Sequence, residues 1–214
     1  MQFNFLNKFT TIAIRFTINE ILLTKKKMSI KGTAKGIYRT IRNYIFPVRQ
    51  SDGKATGSIY EYKFIDDTGA AIDLSMYKGK KLLIVNTASA CGFTGQYSEM
   101  QTLNDKFKEK VNVIAFPCND FGKQEKGTNE DIQSFCSVNY GVTFKVFRKT
   151  NIKRTTTTDL FYWLSNRKLN GWNEQVPLWN FWKFLIDENG KLIAIFPSRV
   201  NPIGTQMRSL INNE

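Results

Sequence analysis

From about residue 58 almost to its end, the chain alternates between short apolar runs and amphipathic stretches. LLIVNTAS at 82–89 and VNVIAFP at 111–117 are continuous apolar, β-branched runs, the signature of strands covered on both faces; Pro117 ends the second. Between them Tyr97, Met100, Leu103 and Phe107 recur at helical spacing, which predicts a helix over 95–109. Thr128, followed three residues later by Asp131, caps a second helix that carries Ile132, Phe135 and Cys136. A third helix is expected over roughly 159–166 and a closing one over 203–212. Two hairpins complete the pattern: YEYKFIDDTGAAIDL turning around Asp66, Asp67 and Gly69, and WKFLIDENGKLIAIF turning at 188–190. Strands alternating with helices and ending in a hairpin and a helix imply an α/β sandwich around a mixed sheet. The run TTTT at 155–158 reads as a loop.

The first 55 residues follow a different pattern. Their apolar patches are broken by Lys8, Arg15 and Glu20 before any run long enough to span a bilayer appears. Phe9, Ile12, Phe16 and Leu23 can share a helical face, and the stretch that follows is rich in Lys, Arg and hydroxyls. That composition fits a targeting segment for an organelle such as a mitochondrion or plastid; the other reading is a disordered or membrane-surface basic arm. Charge supports this division. Residues 1–55 hold 11 Lys and Arg against 2 acids, whereas the remainder holds 20 against 16, so most of the formal +13 belongs to the extension. With modest charge on the globular part and no recognisable motif, nucleic acid is not an expected partner. The domain organisation expected is a basic extension over 1–55 and one globular domain over 56–214.

The chain contains no histidine, which excludes a His-based triad and any metal site that relies on imidazole. Its three cysteines, at 91, 118 and 136, have no CxxC spacing, and so sparse a set points to a reducing intracellular compartment. Cys91 stands where the strand at 82–89 gives way to the helix at 95–109. A thiol at such a junction faces unsatisfied N–H groups that favour the thiolate, which makes Cys91 a candidate nucleophile; the alternative is an inert, buried cysteine.

Three segments decide between those readings. NTASACGFTGQY at 86–97, FPCNDFGKQE at 116–125 and PLWNFWKFLID at 177–187 resemble, in order and spacing, the signature segments of the glutathione peroxidases. The resemblance covers about 58–214 and implies a thioredoxin-like fold, a central mixed β-sheet flanked by helices with an N-terminal β-hairpin, and reduction of hydrogen peroxide and organic or lipid hydroperoxides as part of the response to oxidative stress. It places Cys91 at the peroxidatic position and Gln124, Trp179 and Asn180 at the positions of its partners. An amide and an indole N–H are neutral donors, suited to stabilising a thiolate and then the departing alkoxide. A cysteine nucleophile becomes a sulfenic acid that another thiol must capture. Cys136 resembles the resolving cysteine of the thioredoxin-dependent members, and Cys118 a packed thiol of the FPCN segment. The helix bearing Cys136 would have to loosen locally for a disulfide to form.

The sequence departs from the family's usual residues at Asp120, Lys126, Lys145 and Trp182, of which Trp182 is expected to reshape the pocket most. The short stretch between Asp159 and Trp179 resembles members that lack a subunit-interface insertion, which implies a monomer with an open site and room for lipid hydroperoxides at a membrane surface. Thioredoxin or glutathione is the reductant implied, thioredoxin more strongly, and the chemistry calls for no cofactor. The competing reading is a peroxide sensor that passes its disulfide to a partner protein.

Overall fold

The computed structural model describes residues 48–49, 58–61, 63–65, 70–152 and 159–213. The chain falls into two units, Met1–Thr40 and Ile41–Glu214, the first lying wholly outside the described residues together with the reading of a targeting segment made for it. The described residues form eight strands: β1 Val48–Arg49, β2 Phe64–Ile65, β3 Ala71–Ile72, β4 Lys81–Thr87, β5 Val111–Pro117, β6 Lys145–Val146, β7 Lys183–Ile186 and β8 Leu192–Phe196. Among the described residues five α-helices accompany them: α1 Gln96–Lys106, α2 Asn129–Tyr140, α3 Asp159–Leu164, α4 Arg167–Asn170 and α5 Thr205–Asn212.

The main sheet has the order β1-β8-β7-β4-β5-β6, with β2 and β3 forming a separate antiparallel pair. Strands β4, β5 and β6 are parallel; β7, β8 and β1 run antiparallel to their neighbours, giving the mixed sheet expected of a thioredoxin-like fold. The turn of the first hairpin and the loop at 155–158 lie outside the described residues. Val48 and Arg49 pair with Ile195 and Ala194, so part of the segment read as an extension contributes an edge strand. Asp131 accepts from the Thr128 backbone N–H while Thr128 accepts from the Asp131 N–H, the reciprocal capping box its sequence suggests. The helix expected over 159–166 is present as α3 and ends at Leu164; Asn166 leaves helical geometry and caps a further short helix, α4, by accepting from the Lys168 N–H.

Alternation along the central strands sorts the core into two clusters, one on each face. Leu83, Val85, Val113, Ala115, Leu185, Ala194 and Phe196 pack with α1, α2 and α5 on one face. Leu82, Ile84, Ile114, Phe116, Phe184, Ile186 and Ile195 pack with α3 on the other. A register shift at Leu185/Ile186 pairs Ile186 with Leu192 and restores the alternation in β8.

Candidate active site

The topology explains why three segments distant in sequence meet. Strands β4 and β5 are parallel and in register to their last pair, Thr87 opposite Pro117, so the loops after them leave the sheet at the same end. Strand β7 runs the other way and begins with Lys183 opposite Val85, so the residues just before it arrive at that end as well. Cys91, Gln124, Trp179 and Asn180 are thereby gathered outside the carboxyl ends of the parallel strands, where open α/β sheets place their ligands.

Cys91 is 9% exposed. It lies five residues before α1 rather than at its first turn, in a tight turn closed by the Thr94 N–H on the Cys91 carbonyl. The donor that reaches its sulfur is therefore the N–H of Phe93 at 3.5 Å, not a helix N–H group as the sequence suggests. Thr94 fixes the turn from within: its hydroxyl accepts from the Cys91 N–H at 2.9 Å and reaches the Ala88 and Cys91 carbonyls.

The second loop straps onto the first at two points. The Ala90 N–H donates to the Gln124 carbonyl at 3.0 Å, and the Ser89 N–H donates to the Glu125 carboxylate at 2.9 Å. Glu125 is buried, its own N–H held by the Asn119 side chain, and burial pushes its carboxyl above the usual range despite the bonds from Ser89. The third segment docks through side chains. Asn180, fully buried, donates from Nδ2 to Gln124 Oε1 at 3.0 Å and to the Phe121 carbonyl at 3.3 Å. Because the Gln124 carbonyl oxygen is thus engaged, its amide N–H groups are the end left to act as donors. Trp179 is half-buried and tilts against Phe121 with ring centroids 6.3 Å apart. Gly122, at φ +67°, lets the indole approach: a Cβ there would stand 3.3 Å from the Trp179 ring. A groove of about 410 Å³ runs beside the Cys91 loop, between residues 123–127 and the α2 face that presents Asp131, Ile132 and Phe135.

The three cysteines divide between the two faces. Cys91 and Cys136 belong to the same apolar cluster, while Cys118 lies in the cluster across the sheet. All three are reduced and buried. Burial raises the Cys136 thiol above its ordinary range; the Tyr97 hydroxyl opposes this and the Glu125 carboxylate adds to it. Tyr97 packs edge-on against Phe181 at 5.5 Å, and its own hydroxyl is pushed well above the phenol range by burial and then by Cys136. Trp182 does not line the groove: it is fully buried in the cluster opposite Cys91, so the expectation that it reshapes the pocket is corrected. Asp120 accepts from the Ile152 N–H at 2.6 Å and ties down the following loop. Lys145 stands over the Phe147 ring at 5.5 Å.

Two residues of this framework escape a reading of the sequence alone. Asn86, fully buried at the end of β4, donates to the Trp179 carbonyl at 3.1 Å and accepts from the Trp182 N–H at 2.9 Å, so it seats the whole third segment. Its signal was an amide inside the apolar run LLIVNT. Glu125 closes the segment FGKQE, where a carboxylate following an amide in a short loop is a natural backbone anchor. Among the described residues no three Cys, Asp or Glu side chains converge as a metal site would require.

Comparison with known proteins agrees with this architecture. Residues 59–165 match the model of the family described as glutathione peroxidase. The chain is 40% identical over 160 residues to the glutathione peroxidase-like peroxiredoxin 2 of Saccharomyces cerevisiae, covering 73% of this chain and 99% of that protein. It is 41% identical over 157 residues to the glutathione peroxidase homolog BsaA of Staphylococcus epidermidis, covering 72% and 99% respectively. Among solved structures, Trgpx in apo form superposes with a TM-score of 0.53 at 34% identity, covering 74% of this chain and 97% of that one. T. cruzi GPX1 superposes with a TM-score of 0.53 at 29% identity, covering 72% and 97%. A shared family model, close relatives spanned over almost their whole length and a site gathered at the ends of β4 and β5 lead to one conclusion: this chain belongs to the glutathione peroxidase family and is a peroxidase of that type.

Proposed function

We propose that the protein reduces hydroperoxides by a two-cysteine cycle run through Cys91 and Cys136. The Cys91 thiolate attacks the terminal peroxide oxygen; the O–O bond breaks, sulfur is oxidised to the sulfenic acid, and the leaving alkoxide departs as alcohol after taking a proton. The Gln124 amide and the Trp179 indole supply neutral donors around the reacting oxygen, and Asn180, whose two amide N–H groups go to Gln124 Oε1 and the Phe121 carbonyl, orients Gln124. The Cys136 sulfur then attacks the sulfenic sulfur, forming the Cys91–Cys136 disulfide, and the Cys136 proton leaves with the hydroxyl as water. A dithiol protein of the thioredoxin class, or glutathione, returns both sulfurs to thiols by exchange.

The observation that carries the reading is that Cys136 shares a face of the sheet, and one apolar cluster, with Cys91. Cys118 would have to cross the sheet to reach the same sulfur. Since Cys136 is 1% exposed within α2, the disulfide requires that helix to open locally before resolution. The test is peroxide-dependent NADPH oxidation coupled either to thioredoxin and its reductase or to glutathione and its reductase, with Cys91→Ser and Cys136→Ser alongside. Turnover with thioredoxin that is lost in both variants is the expected result; turnover with glutathione that survives Cys136→Ser would replace it by a one-cysteine mechanism.

The burial of Cys136 also favours a second reading. A resolving thiol held down in this way leaves the Cys91 sulfenic acid open longer to a thiol on a partner protein, which is how a peroxide sensor would work. Stoichiometric oxidation of Cys91 without turnover in either coupled system would select it. The reading further takes the protein as a monomer, with its basic extension as an organellar targeting segment and lipid hydroperoxides among its substrates. Sedimentation, the location of a fusion carrying residues 1–55, and turnover on phospholipid hydroperoxide in vesicles test these in turn.

A further inference from the structure

Lys183 is the first residue of β7 and is fully buried. Alternation along the strand sends Phe184 and Ile186 into the cluster opposite Cys91, so Lys183 points to the face shared by Phe181, Leu185 and Cys91. Its amine donates to the Phe181 carbonyl at 2.8 Å and to the Ser198 carbonyl at 3.3 Å. No carboxylate among the described residues lies within ion-pair distance of it. A buried ammonium without a counter-ion is costly, and a Leu or Met would fill the same volume without that cost.

The carbonyl it holds belongs to an unusual residue. Phe181 adopts φ +63°, a left-handed conformation that bulky side chains rarely take, and it directly follows Trp179 and Asn180. Asn86 seats this turn from the β4 side, and Lys183 grips it from within β7. The Ser198 carbonyl also accepts from Gln96 Nε2 at 2.7 Å, which joins the start of α1 to the same node. The buried atoms Gln96 Oε1 and Ser198 Oγ of the same two residues have no hydrogen-bond partner.

We propose that Lys183 is a positioning residue for peroxide reduction: its protonated amine clamps the left-handed turn at Phe181 and thereby holds Trp179 and Asn180 against Gln124. The clamp rests on the reading of Gln124 and Trp179 as donors to the reacting oxygen, with Asn180 orienting Gln124. It is also pH-sensitive. Burial lowers the Lys183 amine to about 7, opposed by Glu99 of α1. Glu99 is the charged group acting on it; the residues opposite Lys183 on β4 and β8 are Val85 and Phe196. Loss of the proton replaces charge-assisted bonds by neutral ones roughly half as strong, so the turn loosens above neutrality.

The test follows oxidation of the full chain by hydrogen peroxide, by stopped-flow tryptophan fluorescence, from pH 5.5 to 9 in the wild type, Lys183→Met, Glu99→Gln, Asn180→Ala and Cys91→Ser. The wild-type rate constant is expected to fall along an alkaline limb near pH 7, opposite to the rise that thiol ionisation alone produces. Glu99→Gln removes an anion that supports the ammonium and is expected to move the limb to lower pH. Lys183→Met is expected to be slower by about tenfold at pH 6.5 and to lack the limb. A folded Lys183→Met at the wild-type rate would overturn the clamp; should that variant not fold, superimposable profiles for wild type and Glu99→Gln would do so. Slow Asn180→Ala and inert Cys91→Ser beside a normal Lys183→Met would overturn the clamp alone. Asn180→Ala at the wild-type rate would overturn the underlying reading of the site and the clamp with it.

Discussion

The two faces of the central sheet each carry an extensive apolar cluster but differ in what is buried within it. On the Cys118 face, Phe116 stacks on Phe147 at 4.6 Å and meets Phe161 edge-on at 5.6 Å, Phe161 continues to Phe184 at 6.2 Å, and Trp163 and Trp182 fill the remainder. That is a dense aromatic layer, and within it the Cys118 sulfur accepts from the Asp120 N–H at 3.4 Å. On the other face the same kind of cluster encloses Cys91, Cys136 and the Tyr97 hydroxyl, with the Lys183 amine set beneath Phe181. Every one of those groups carries a desolvation cost that an aliphatic side chain would avoid. On the proposed two-cysteine cycle, the contrast teaches that stability and chemistry are assigned to opposite sides of one sheet, so they can be perturbed separately.

The sharpest way to break that separation is to exchange the cysteines one at a time. Cys136→Ser is expected to reduce thioredoxin-coupled turnover to background, whereas Cys118→Ser is expected to stay within about twofold of wild type, since its sulfur lies across the sheet. Equal losses in the two variants would end the two-face account. Next in size, Asn180→Ala frees the Gln124 amide that it orients, and kcat/KM for peroxide should fall by roughly 10². Phe161→Ala on the aromatic face should cost about 3–5 kcal/mol in urea unfolding while leaving the activity of the folded fraction unchanged.

The smallest effect is one of pH. The Lys183 amine titrates at about 7 in the folded protein and near 10.4 in the unfolded chain. Between those values the unfolded state binds the extra proton, so this group makes stability rise as pH goes from 7 towards 9.5. Above about 10 the buried Tyr97, whose hydroxyl is held well above the phenol range, adds a contribution of the opposite sign. Urea unfolding at pH 7 and 9 should show the rise in the wild type and lose it in Lys183→Met.

What could be read from sequence follows the strength of the local signal. Strand β5 coincides with the run at 111–117, because a stretch covered on both faces is continuously apolar and ends in a proline. Thr128 and Asp131 announce the start of α2 within four residues. Strand β6 was not expected: Lys145–Val146 is two residues long and borrows its pairing from Ile114 and Ala115, so it has no period of its own. The site shows the same limit. The segments holding Cys91, Gln124, Trp179 and Asn180 were recognisable, but Asn86 and Lys183 read as ordinary polar interruptions of strands. Their importance arises only when β4 and β7 are paired and the turn at Phe181 is closed over them. Trp182 erred the other way: it falls in the alternation of Phe184 and Ile186 and so lies on the face opposite Cys91.

The account's central claim is that one face of the sheet holds the complete redox pair. It is tested most directly by treating the reduced protein with one equivalent of hydrogen peroxide, blocking free thiols and mapping the peptides by mass spectrometry. A Cys91–Cys136 disulfide with Cys118 alkylated is the predicted result. A disulfide that includes Cys118, or Cys136 recovered as a free thiol beside an over-oxidised Cys91, would contradict it.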